Sequence, residues 1–453
     1  MKLNRCSRSL VAVTFLAGAR LASSVETSRG ELLSRIDQAV EHAMERDRVP
    51  AISIGIDHRG ELLVAKGYGM ADLENRVPAT EHTVYRIGSV TKQFTAAAIL
   101  KLAEQGLVSL DGRIENYVPE FPVRDFEITI AQLLDHTSGI KGYTEMPEFW
   151  EKSRLDLTHE QMVALMASAP FEFEPGERYQ YSNSAYYLAG LVIENVTEKT
   201  YAELLQETFF EPLGLFETHY LYDGPIIPNR AKGYAVENNT VVNAEPLSML
   251  LPYAAGSLGS SAHDLLVWQR ALTSGRVVND ESFERMTTPT TLNDGDETDY
   301  GLGLGLSSLD GHRKISHGGG INGFLTDVAW YPDDALFVVV LTNSASSHPG
   351  PLANQLTRHV LGLDEPEFRR ITMDEDTLRR YVGTYNPGRS PIPVKLEDGT
   401  LTLASQKLVP VGADEFVAEL DPDLRIVFEM EAGQAVAIRT IREGNEQRAK
   451  RTE

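Results

Sequence analysis

Hydrophobic and polar positions alternate along this chain in two rhythms, and the change of rhythm marks its parts. Over residues 29–47 the spacing is helical: Leu32, Leu33, Ile36, Val40 and Ala43 share one side, and Pro50 ends the element. Residues 51–56 and 61–69 read as two strands around Asp57-His58-Arg59-Gly60, an antiparallel hairpin. Residues 85–100 predict a short strand, a hinge at Gly88 and a helix. Phe94, Ala98 and Leu102 form one apolar stripe on it, and Gly106 supplies the stop. Further helices are expected from a cap at Thr129 through Leu134, and at about 159–168, 183–196, 200–210 and 262–272. From Tyr300 the strand rhythm returns, at 300–306, 313–316, 324–331 and 336–343, before a helix over 351–360. Strands at both ends thus bracket a helical middle. This predicts an α/β (α+β) body, residues 28–363, whose sheet joins both ends of the segment.

Residues 364–375 are charged, contain Pro366 and read as a linker. Beyond them strand-like runs crowd together, at 381–385, 394–396, 400–403, 408–411, 415–418, 425–429 and 436–439, with Asp398-Gly399 as a hairpin turn. Residues 376–448 are therefore expected to form a separate small antiparallel β domain, a barrel or sandwich.

Composition narrows the setting. The 453 residues carry a net charge of -23, spread along the chain, which argues against a nucleic-acid partner or an anionic membrane surface. Lys2, Arg5 and Arg8 precede a short apolar run, and Ala22-Ser23-Ser24 offers small residues for cleavage. Residues 1–24 thus read as a signal peptide too short to span a membrane, and export to a periplasm or beyond is expected. The one cysteine, Cys6, lies inside that leader, so no disulfide or thiol metal site is expected after cleavage. No His-x-x-x-His or Cys-x-x-Cys pairing marks a metal site, and no cofactor is expected.

Candidate chemistry centres on Ser89-Val90-Thr91-Lys92. On a helix start this spacing puts Ser89 and Lys92 on one face, one turn apart. The helix dipole and burial both disfavour a charged lysine there, and a neutral lysine can take a proton from the serine hydroxyl. A second such string, Ser138-Gly139-Ile140-Lys141, lies in a glycine-rich loop that gives its two side chains no common face. Taken locally, Ser89 is as readily an N-cap and Lys92 a solvated helix lysine. Two more elements bear on the choice. Tyr181-Ser182-Asn183 sits just before a helix, where a loop can present a phenol and an amide to a cleft, or a buried tyrosine and a helix cap. His317-Gly318-Gly319-Gly320 continues a strand, and its glycines allow close backbone approach.

In their order these elements resemble the penicillin-recognising serine hydrolases, in the branch of class C β-lactamases, D,D-carboxypeptidases, D-aminopeptidases and esterases. Ser89 to Lys92 looks like the first motif, Tyr181 to Asn183 the second and His317 to Gly319 the third. The surrounding segments 128–139, 181–190 and 255–261 also match, and the resemblance covers about residues 30–360. It implies an antiparallel sheet flanked by helices with a helical subdomain, β-lactamase/transpeptidase-like, and the C-terminal domain is similar to a lipocalin-like appendage. It further implies that Ser89 is a nucleophile, Lys92 its base and Tyr181 the proton donor to the leaving group, with Asn183, His317 and Gly319 on the substrate. The backbone N–H groups of Ser89 and Gly320 would form the oxyanion hole. Substrates would be small molecules or peptides: an ester, a D-amino-acid peptide or a β-lactam. His317 stands where many members carry lysine, so a permanent cation for a substrate carboxylate is missing. A peptidoglycan- or peptide-binding protein that keeps the pocket without useful turnover is the alternative.

The two Ser-x-x-Lys strings give a direct test. A fluorophosphonate probe should label the wild type and Ser138→Ala equally and fail to label Ser89→Ala. Labelling that follows Ser138 would overturn the helix-face argument.

Overall fold

The computed structural model describes residues 10–222, 224–386, 391–404 and 406–452, with side chains from residue 29 onward. Of the expected leader, residues 1–9, Cys6 among them, lie outside the described residues, and the backbone from Leu10 begins the helix Leu10–Asp47. Among the described residues no helix is long and apolar enough to cross a membrane.

One antiparallel sheet organises the body. Its seven strands run in the spatial order Val77–Pro78, Glu61–Asp72, Ala51–His58, Leu336–Thr342, Phe324–Tyr331, His312–Ile321, Gly305–Leu309. The N-terminal hairpin meets the late strands where Ile54 lies opposite Val340, so the sheet does join both ends of the segment. Leu336–Thr342 is buried throughout, and its alternate residues serve two cores. Leu336, Val338 and Val340 pack with Ile36, Val40 and Leu356 beneath the helices Leu10–Asp47 and Pro349–Leu361. Phe337, Val339 and Leu341 face the other way, into the core shared with the helical middle. A strand buried on both faces reads as a continuous apolar run, as this one does.

The helix Thr91–Glu104 lies in the centre of that second core. The expected stripe through Phe94, Ala98 and Leu102 understates its burial: every residue from Thr91 to Leu100 is buried. The run Ala96-Ala97-Ala98 lets neighbours approach on all sides. Two strand boundaries also move. The run expected at 300–306 becomes Gly305–Leu309. The strand expected to stop near Ser316 continues through the glycines to Ile321, with Gly318, Gly319 and Gly320 opposite Asp327, Thr326 and Leu325. A smaller sheet, ordered Tyr85–Arg86, Leu258–Ser260, His219–Tyr220, leads directly into the Ser89 turn.

The C-terminal domain is a closed antiparallel barrel of eight strands. Seven had been expected. The eighth, Asn445–Arg451, is missed because it lacks apolar alternation: among its residues only Ala449 is buried. It closes the barrel by pairing Arg451 with Tyr385. Tyr381, Tyr385, Phe416 and Phe428 fill the interior.

The barrel docks through its last hairpin. Glu443 Oε1 accepts a hydrogen bond from Lys314 Nζ at 2.8 Å and from Asn354 Nδ2 at 2.9 Å, and its backbone carbonyl accepts from Ser308 N–H. Asn445 Nδ2 donates to the Leu306 carbonyl, so the hairpin covers the sheet's edge strand. Burial disfavours the Glu443 charge, but Lys314 and Asn354 outweigh it and hold the carboxyl at about 2. Arg358 adds a second tie, to Asp423 of the barrel and Asp310 of the body. Between the two parts lies a recess of about 590 Å³ lined by Tyr179, Tyr300, Ser316, Arg442 and Glu446 among others.

Lys314 is almost wholly buried, so Glu443→Ala leaves a cation without its counter-charge. The expected loss is about 3–5 kcal/mol, read as a lower denaturant midpoint and faster proteolysis within 364–375. The double change Lys314→Met, Glu443→Leu should regain most of it. Unchanged proteolysis in Glu443→Ala would mean the ion pair does not hold the barrel in place.

Candidate active site

Ser89 lies in a single 3₁₀ turn, Gly88–Val90, that leads into the helix Thr91–Glu104. Gly88 adopts φ +51, and a Cβ there would fall 2.9 Å from Gly320 N. A Cβ on Gly319 would fall 2.0 Å from the Ile87 carbonyl oxygen. The serine turn and the strand His312–Ile321 therefore touch through backbone, at a separation only glycines permit.

Lys92 follows one turn on and is fully buried. Its Nζ lies 3.2 Å from Ser89 Oγ, 2.7 Å from Asn183 Oδ1 and 2.7 Å from the Ala255 carbonyl oxygen. Burial pushes the amine well below its ordinary value. A neutral amine has two N–H donors and one lone pair. Asn183 Oδ1 and the Ala255 carbonyl can only accept, so they take both donors. In that form the lone pair is left for the Ser89 hydroxyl, which is half-buried.

Asn183 is free for this because the neighbouring Ser182 caps the helix Asn183–Thr197, accepting from Ala185 N–H. Its Nδ2 donates to Thr144 Oγ1 at 3.0 Å, which fixes the amide's orientation. Its carbonyl oxygen holds Lys92, and one N–H of the amide is left for a ligand.

The Tyr181 ring centroid lies 4.8 Å from Lys92 Nζ. Burial raises the phenol above its ordinary value, and the nearby Ser89 hydroxyl offsets this only in part. No lowering by Lys92 offsets that burial, so the phenol stays above its ordinary value.

His317 departs furthest from expectation. The sequence suggested that it donates toward a substrate carboxylate or Tyr181. The ring is buried, with Nδ1 2.6 Å from the Gly318 carbonyl oxygen and Nε2 2.8 Å from Tyr300 Oη. A carbonyl only accepts, so Nδ1 carries the proton and Nε2 accepts from the Tyr300 hydroxyl. Burial, then the nearness of Lys92, push the imidazole down to about 3, against the Gly318 carbonyl. Neither nitrogen is open to a ligand.

Sequence reasoning passed over His136. It adopts φ 64, is completely buried, and its Nδ1 accepts from Ser182 N–H at 3.0 Å. Its ring lies 4.2 Å from that of Tyr181, 4.9 Å from Tyr300 and 5.1 Å from Tyr186. It thus ties the loop after Leu134 to the segment that presents Tyr181 and Asn183. The string Asp135-His136-Thr137-Ser138-Gly139 was the available signal, noticed only as a neighbourhood.

A family model described as Beta-lactamase matches residues 36–362. The chain belongs to the beta-lactamase family. It is 28% identical over 402 residues to "Penicillin-binding protein 4*" of Bacillus subtilis, covering 82% of this chain and 86% of that protein. An octameric penicillin-binding protein homologue from Pyrococcus abyssi superposes with a TM-score of 0.69 at 26% identity, over 92% of this chain and 99% of that one. The D-amino acid amidase from Ochrobactrum anthropi SV3, in complex with L-phenylalanine amide, gives 0.64 at 25% identity, over 73% and 98%. This beta-lactamase-family chain therefore has a hydrolase fold whose solved neighbours include an amidase seen with an amino-acid amide.

The buried imidazoles carry a pH consequence. In the unfolded chain a histidine takes a proton near 6.5, whereas folded His317 takes one only near 3. The unfolded state binds more protons in between, so stability is full above about pH 6.5 and is lost as pH falls toward about 3. His317 alone should contribute up to about 1.4 kcal/mol per pH unit below pH 6. Urea unfolding of His317→Gln against wild type, between pH 8 and 4, should show that part of the slope removed. Identical slopes would place the acid sensitivity elsewhere.

Proposed function

We propose that this chain is a serine hydrolase that cleaves an amide or ester bond through an acyl-Ser89 intermediate. The observation that carries this is the placement of Lys92: a buried amine pushed well below its ordinary value, with Nζ 3.2 Å from Ser89 Oγ and two uncharged acceptors for its other hydrogens. Ser89 Oγ attacks the carbonyl carbon as its proton passes to Lys92 Nζ. The oxyanion is met by the backbone N–H groups of Ser89 and Gly320, whose close approach is made by Gly88 and Gly319. Tyr181 gives its proton to the leaving amine or alkoxide, and Lys92, now an ammonium, returns one to the phenolate. The products are an ester on Ser89, a protonated leaving group, and Lys92 and Tyr181 restored. Water then deacylates by the reverse route, with the Tyr181–Lys92 pair as base.

The substrate class follows from charge. His317 is held neutral with both nitrogens engaged, so the third motif brings no cation to a terminal carboxylate. This favours neutral amides and esters over penicillins and peptides with a free C-terminus. The likeness to an amidase seen with an amino-acid amide supports amides of amino acids. The basic-then-apolar start of the chain supports an exported enzyme.

Ser89→Ala should lower kcat/KM for a p-nitrophenyl ester by about a thousandfold or more while the circular dichroism spectrum stays unchanged. The wild-type rate should rise with pH as Lys92 loses its proton and level off well below pH 10.5. A profile that keeps rising to pH 10.5 would mean Lys92 is an ordinary ammonium and not the base. An undiminished rate in Ser89→Ala would sink the acyl-enzyme reading.

A further inference from the structure

Away from this cleft, three segments distant in sequence bring ligand-type side chains together. His82, Glu217 and His263 each offer one ligand atom, and these atoms all lie within 4.8 Å of one another. His82 Nδ1 is 3.3 Å from Glu217 Oε1, and His263 Nδ1 is 3.8 Å from Glu217 Oε2. The two imidazole ring centroids lie 5.0 Å apart, with the ring planes tilted by 50°. All three residues are half-buried, so the cluster is neither sealed in the core nor free to disperse.

We propose that His82, Glu217 and His263 bind a divalent transition-metal cation, zinc by the chemistry of the set, which clamps the end of the small sheet opposite Ser89. Two imidazoles and one carboxylate, with a position open to water, suit zinc. Ligand bonds of about 2.0–2.1 Å in tetrahedral geometry place ligand atoms about 3.3 Å apart. The existing spacings need a contraction of roughly 1.5 Å at most, within the reach of half-exposed side chains.

Two further observations point to a ligand. His82 Nδ1 is inaccessible to solvent and has no hydrogen-bond partner, although a carboxylate oxygen lies nearby: the atom is close enough to share an ion with Glu217, at an angle unsuited to a hydrogen bond. Asp264 supplies a support for the site. It is fully buried, and its Oδ2 accepts from Glu217 N–H and Thr218 Oγ1. Its Oδ1 lies 3.2 Å from His263 Nδ1, and its carboxylate also lies against that of Glu217. Two carboxylates crowded beside two imidazoles repel each other, and a cation between the side chains converts that repulsion to attraction.

The topology states what the ion would do. His82 precedes the strand Tyr85–Arg86, Glu217 precedes His219–Tyr220, and His263 follows Leu258–Ser260. These are the three strands of one antiparallel sheet, with Leu258–Ser260 in the middle, so all three ligands gather at the same end. From the other end emerge Ser89 and, on the central strand's approach, the Ala255 carbonyl that holds Lys92. His263 N–H already donates to the Glu81 carbonyl, so two of the three segments are in register before a metal arrives.

Equilibrium dialysis of untagged full-length protein against Zn²⁺, with bound metal counted by elemental analysis, tests this. About one Zn²⁺ per chain is expected. The melting temperature should rise in Zn²⁺ relative to EDTA. Affinity should fall by roughly a hundredfold in His82→Ala and in His263→Ala. Glu217→Gln, which keeps shape and loses charge, should weaken binding without lowering the metal-free melting temperature. That separates loss of a ligand from loss of fold. Wild-type protein that binds no Zn²⁺, or binding retained at full stoichiometry in His82→Ala and His263→Ala, overturns the proposal.

Discussion

The interaction on which the site depends is the burial of one lysine among acceptors. An amine in water is charged and useless as a base, and an amine alone in a core is costly. For Lys92, Asn183 and the Ala255 carbonyl satisfy N–H groups without offering a negative charge. A carboxylate in either place would favour the ammonium. The choice of a neutral amide and a backbone carbonyl thus leaves burial free to push the amine well below its ordinary value.

That choice recruits much of the fold. Asn183 is held by Thr144 and freed from capping by Ser182. Ala255 is placed by the turn before Leu258–Ser260, and Thr91 Oγ1 ties the first helical turn to Leu258 N–H. His136 locks the Tyr181 segment by accepting from Ser182 N–H. Each of these side chains is buried or nearly so and acts through another. Their shared effect is a rigid cage around one nitrogen, and rigidity is what lets a weakly basic group meet a hydroxyl at hydrogen-bond distance.

How much of this could be read from the sequence depends on the range of the contacts. Local signals worked. The cap at Thr129, the hairpin of residues 51–69 and the turn-then-helix around Ser89 were legible because each is decided within a few residues. The sheet that joins both ends of the body followed from strand rhythm flanking a helical middle. The strand Asn445–Arg451 was invisible because its pairing comes from barrel closure and leaves it polar on most of its length. The partner of His317 was not legible because Tyr300 reaches it across a loop rather than along the strand. The meeting of His82, Glu217 and His263 has no local spacing at all: only the order of three short strands brings them together.

The pairing of Lys314 with Glu443 has a temporal side. The two residues are separated by 129 positions, and Lys314 belongs to the strand next to the edge of the body's sheet. During synthesis the beta-lactamase-like body emerges first, with its sheet edge and a cation open, before the counter-ion exists. At about 5–20 residues per second, this interval lasts on the order of ten seconds. Through it, the exposed edge Gly305–Leu309 is a template for any strand that happens by. A nascent chain of this protein is therefore most prone to mispairing after its enzyme is built and before its barrel closes, and a chaperone that protects it has that interval in which to act.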